Sequence, residues 1–118
     1  MYRPAKQVAL VLAVLLHRAG KSRARISGKT VRALSGRTTL KEAFTTGVRA
    51  WLDDFGVLMV RLERGGFALV AISALEGAPS VLAKDHVSAE RSDLLAGRLQ
   101  EDALLTELGL NAGDDEDE

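Results

Sequence analysis

Two fragments of this chain, Gly20-Lys21-Ser22 and Gly28-Lys29-Thr30, end the way a phosphate-binding loop ends. In such a loop the backbone amides cradle a phosphate and the lysine reaches its far side. The loop also needs a glycine five residues ahead of the Gly-Lys pair and a strand leading into it. Leu15 and Arg23 stand at those positions, and a helical pattern precedes the first fragment. Both fragments read as a helix end and a helix cap. His17 and His86 are the only histidines, they are far apart, and no cysteine exists to complete a metal set with them. A structural role is assigned to each. Asp53 and Asp54 are paired carboxylates, but neighbours on a helix point about 100° apart and do not cooperate as acid and base. Trp51 and Phe44 fall on an apolar stripe and read as core, and five aromatics make too small a set for a base-stacking platform. Without a nucleophile and its base, a metal set or a cofactor loop, the chain reads as a binding protein, not an enzyme, with no cofactor and no metal.

The chemistry that remains is electrostatic. Residues 1–50 carry eleven Lys/Arg and one acid, Glu42, whereas residues 51–118 carry five Lys/Arg and fifteen Asp/Glu. The net charge of zero hides a basic half and an acidic half. Lys21, Arg23, Arg25, Lys29, Arg32, Arg37 and Lys41 form a run with no acid among them. Such a run is the electrostatic footprint of a nucleic-acid binder. The closing run Asp114 to Glu118 is too charged to pack, so 110–118 is expected to be a disordered acidic tail. That tail would compete with phosphate for the basic half.

The elements that must position these charges follow from periodicity. A chain of 118 residues with 47% apolar content supports one folded core. Pro4 suits the first turn of a helix and Gly20 its end. Between them Val8, Leu12, Leu15 and Leu16 form a stripe that Val11 and Val14 widen, so this helix is expected to sit centrally. The apolar run from Val8 to Leu16 is too short to span a bilayer, and basic residues follow it without a cleavage site. It is read as a buried helix, and the lack of cysteine fits a cytoplasmic protein. Arg25-Ile26-Ser27 is expected as a very short strand. Ser27 caps a second helix from about Gly28 to Leu34. Thr39 and Glu42 form a capping box for a third, with Leu40, Phe44, Val48, Trp51, Leu52 and Phe55 on its inner stripe. Gly47 marks either a bend or a close contact. Leu58, Val60 and Leu62 then alternate with Met59, Arg61 and Glu63 at strand spacing, and Gly65-Gly66 signals a hairpin before an apolar strand from Phe67 to Ile72. Ser88 to Leu108 reads as one amphipathic helix or as two that separate near Gly97. Its leucines would cover the core or make a dimer.

The order helix, short strand, helix, turn, helix, hairpin resembles the winged-helix family. The residues that carry the resemblance are Arg25-Ile26-Ser27, Ser35-Gly36, Leu52-Asp53-Asp54-Phe55-Gly56 and Arg64-Gly65-Gly66-Phe67. It spans about Ala5 to Ile72. The implied fold is α+β, mainly α: a three-helix helix-turn-helix core with a two-stranded β-hairpin as a minimal wing, then a C-terminal amphipathic helix. The expected divisions are 1–76, 77–109 and 110–118. In that family the third helix enters the major groove, while the second helix and the wing touch the backbone. Carried onto this chain, the resemblance implies Arg37, Thr38, Thr39, Lys41, Thr45 and Arg49 on the groove side. It implies Lys29, Thr30 and Arg32 at phosphates, and Arg61 and Arg64 from the hairpin. This sequence departs from the family in having almost no wing loop. The expected function is double-stranded DNA binding by a transcriptional regulator or accessory factor, with a homodimer through the C-terminal helix possible. The alternative is a protein-interaction module that binds no DNA. Neither a membrane nor a small-molecule substrate is expected.

Overall fold

The computed structural model describes residues 2–110. The protein is α+β and mainly helical, and the chain divides into two compact units, 1–78 and 79–118. The first unit runs α1 (Ala5–Ala19), β1 (Arg23–Ile26), α2 (Gly28–Ser35), α3 (Glu42–Asp54), β2 (Val57–Arg61), β3 (Phe67–Ala71) and α4 (Ile72–Glu76). Three helices and a three-stranded antiparallel sheet of order β1-β3-β2 make a layout compatible with a winged helix. The expected hairpin therefore has a third strand, because β1 is longer than its Arg25-Ile26-Ser27 stub and pairs along β3, Arg23 with Val70 through Ile26 with Phe67.

The core follows from which stripes meet. Val8, Ala9, Leu12 and Leu16 of α1 pack with Val48 and Leu52 of α3 and with Val57, Met59, Phe67 and Leu69 of the sheet. Gly47 marks a close contact: a β-carbon there would sit 3.3 Å from Ala5 Cβ, so its absence lets α1 and α3 approach. Within the first unit only one side of α1 is covered. Leu10 and Val11 are each 49% exposed and Leu15 is 42% exposed, so the helix is less central than its all-round apolarity implied.

One local expectation is corrected. Thr39 and Glu42 make no capping box. The helix opens at Glu42 with Lys41 as its N-cap and no side-chain cap bond. The S/T-x-x-E pattern is a local signal, and here the chain reaches α3 through an extended turn whose Leu40 packs on the core. In β2 the strand spacing is as expected, and its inward residues are Val57 and Met59. Both phases of that strand are apolar as far as Val60, so alternation alone did not fix which one faces in. Pairing with β3, Val57 to Ala71 and Met59 to Leu69, decides it.

The second unit holds α5 (Ala83–His86), α6 (Ser88–Leu95) and α7 (Glu101–Glu107). The expected last segment is therefore two helices parted near Gly97, preceded by one further turn. Arg98 Nε meets Asp93 Oδ1 at 3.2 Å beside that break. Leu94 and Leu95 are exposed, and Leu104 and Leu105 are half-buried. The acidic run from Asp114 to Glu118 lies outside the described residues. No helix among the described residues is long and apolar enough to cross a membrane.

Candidate nucleic-acid interface

The basic segment folds into β1, α2 and the turn that leads to α3. Ser27 caps α2 as its sequence implied: its Oγ accepts from the Thr30 amide at 3.1 Å and lies 3.0 Å from the Thr30 hydroxyl. That cap fixes the first turn, and Lys29 and Arg32 then stand one turn apart on the exposed side of the helix. Neither has a carboxylate partner among the described residues. Thr30 is half-buried and its hydroxyl is engaged in the cap, so it contributes to a surface only indirectly. In the turn, Thr38, Thr39 and Lys41 are exposed. Arg64 is exposed at the hairpin tip. Arg61 leaves the same hairpin beside the Phe67 ring, 5.6 Å from its centroid, and its Nη2 lies 3.5 Å from Glu42 Oε2.

Three residues assigned to the groove side turn out to serve the fold. Arg37 is half-buried. Its guanidinium lies 3.7 Å from the Phe44 centroid and 4.7 Å from the Tyr2 centroid, and its Nη1 donates to the Arg3 carbonyl at 2.7 Å. It staples the N-terminal segment to the turn and to α3. Arg49 donates from Nε to the Met59 carbonyl at 3.1 Å and ties α3 to β2. Thr45 is buried, and its hydroxyl donates to the Lys41 carbonyl one turn back at 3.2 Å. That internal bond lets a polar side chain face the core. The inner stripe of α3 accordingly centres on Thr45, Val48 and Leu52. Trp51, expected in the core, sits at its edge with 38% exposure, stacked on Phe55 at 6.2 Å and capped by Lys6 Nζ at 4.9 Å.

The exposed face of α3 beyond Lys41 is therefore Glu42, Ala43, Thr46, Ala50, Asp53 and Asp54, which carries no cation. The exposed cations nearest its N-terminus are instead Lys29 and Arg32 on α2, Lys41 in the turn, and Arg61 and Arg64 on the hairpin. These three elements enclose an open cleft of about 450 Å³ lined in part by Arg32, Thr38, Thr39 and Arg61. Its far wall is held by Gly66. That residue has φ +80°, and a β-carbon on it would lie 2.6 Å from the Ile26 carbonyl oxygen. Only glycine lets the hairpin lie this close to the end of β1.

The remaining sequence candidates take structural or separate positions. Gly20 ends α1 and Gly28 opens α2, so neither Gly-Lys fragment forms a phosphate loop. His17 is exposed in the last turn of α1. Arg23 and Arg25 point from β1 to the outer side of the sheet, across from Val70 and Ala68. Compared with family models, curated proteins and solved structures, the chain matches none.

Proposed function

We propose that this chain binds double-stranded DNA through its first unit, as a winged-helix regulator or accessory factor and not as an enzyme. The observation that supports this reading is the segment from Tyr2 to Lys41, which holds ten Lys/Arg and no Asp/Glu. Within it Lys29, Arg32 and Lys41 are exposed without described carboxylate partners. In this reading α2 and the hairpin hold phosphates, which position the protein without reading sequence. Base contact falls to Lys41 at the entrance to α3, the part of a recognition helix that meets base edges, while Thr38 and Thr39 beside it join the backbone contacts. The rest of α3 has little to offer a groove, so binding is dominated by the backbone and weakly selective. The test is a fluorescence anisotropy titration against a random labelled duplex across salt concentrations. Three to four phosphate contacts predict a log–log salt slope of about −3. Absence of binding at low salt, with residues 110–118 both present and removed, overturns the reading.

A second reading rests on a different observation, the exposed stripe of Leu10, Val11 and Leu15 on α1. An apolar stripe of this kind marks contact with another protein, either a second copy or an adaptor's partner. Sedimentation at low and high salt separates the two readings. An oligomer without DNA affinity would favour the second.

A further inference from the structure

We propose that the cleft between α2 and the hairpin seats a sugar–phosphate unit of the nucleic-acid backbone, and that Glu42 holds the phosphate's place on Arg61 until the backbone displaces it. This rests on the DNA-binding reading and assigns it a specific point of contact.

Size is the first argument. A volume of about 450 Å³ is far more than one ion needs and falls in the range of sites that hold small organic ligands, about 300–1,000 Å³. Chemistry is the second. Arg32 and Arg61 approach from different elements, and a guanidinium fork matches two phosphate oxygens at once. Thr38 and Thr39 add hydroxyls that can donate to the same oxygens. Leu40 and Leu62 supply apolar wall against which a deoxyribose ring can lie.

Arg61 itself carries an exchangeable partner. Its partner Glu42 is at 3.5 Å and both side chains are largely exposed, so the pair is weak and exchangeable. A carboxylate and a phosphate offer a guanidinium the same paired oxygens. Glu42 thus lies beside Arg61 near Phe67 and competes with the ligand for its guanidinium. Arg32 lies beside a small residue. A β-carbon at Gly28 would come within 3.3 Å of Arg32 Nη1, so Gly28 leaves room for that guanidinium over the start of α2. Glu63 also lines the cleft and is exposed, so its charge opposes the ligand from the rim.

The test compares wild type with Arg32→Gln, Arg61→Gln and Glu42→Gln on the full chain, using the labelled random duplex across salt, with circular dichroism to verify folding. Each arginine variant is expected to weaken binding about fivefold and to reduce the magnitude of the salt slope by about one. Glu42→Gln is expected to tighten binding a few-fold at low salt. If wild type binds duplex and all three variants bind it equally well, the cleft assignment fails while DNA binding stands. If wild type binds no duplex, the underlying reading fails. A backbone amide NMR titration of the wild type with a thymidine dinucleotide carrying one phosphate gives an independent readout, free of any folding defect. Shifts confined to residues 38–39 and 65–66 support the seat, and shifts confined to 45–52 overturn it. Equal shifts from inorganic phosphate alone would show an anion site with no sugar recognition and overturn the sugar–phosphate assignment.

Discussion

On α2, Lys29 and Arg32 stand exposed one turn apart, and no described carboxylate approaches either. In the turn and on α3, Arg37 and Arg49 carry the same charge but are half-buried, one against two rings and a carbonyl, the other against a carbonyl of β2. Residue type does not separate these pairs; the packing around them does. A guanidinium that stacks on Phe44 and bonds a backbone oxygen has part of its donor set taken up by the fold. A cation that meets only water keeps its donors for a ligand. The helix whose position in a winged helix would read bases is thus the one whose arginine is already used.

The strongest test of that contrast is charge reversal on the free side. Lys29→Glu with Arg32→Glu should lower duplex affinity at least about tenfold at low salt while leaving the melting temperature nearly unchanged, since exposed substitutions usually fall within about 0.5 kcal/mol. An unchanged anisotropy curve would remove α2 from the interface. Next in size is Arg37→Ala, which should cost about 1–3 kcal/mol of stability through the lost ring contacts and hydrogen bond. Arg37→Lys should restore little, because an ammonium lacks the planar fork. Denaturant unfolding measures both, and if Arg37→Ala leaves stability intact but halves affinity or worse, Arg37 becomes a contact. Arg49→Gln should cost about 1 kcal/mol for the hydrogen bond to Met59 and change affinity less than about twofold. Thr45→Val should be smallest of all. It exchanges a satisfied buried hydroxyl for a methyl, so affinity should not move and the melting curve should shift by a degree or two at most.

Much of the frame was legible because its signals are local. Pro4, Gly20 and Ser27 bound α1 and α2 where the sequence placed them, since caps act within a turn of themselves. The acid-free run around Lys29 and Arg32 was equally plain, and so was the hairpin signal at Gly65-Gly66. The start of α3 was not legible, because Thr39 satisfies a capping pattern that the path of Leu40 overrides. The inward phase of β2 was hidden by two apolar phases side by side. Within the site, the packing of Arg37 and Arg49 was not legible because their partners lie 34 and 10 residues away, at Arg3 and Met59. No periodicity links such positions. Thr45 was misread for a subtler reason. A threonine counts as polar until its hydroxyl is seen bonded to its own helix.

The hairpin tip has a consequence for how binding would proceed. Gly66 sits hard against the end of β1, and the turn before it is closed by the Gly65 amide on the Leu62 carbonyl at 3.1 Å. A long basic wing is a loose arm that must lose conformational entropy to settle on its target. This short one is already settled, so association resembles two preformed surfaces meeting rather than a segment folding. Calorimetry would register that as a small heat-capacity change, with rates governed by electrostatic encounter and not by loop ordering.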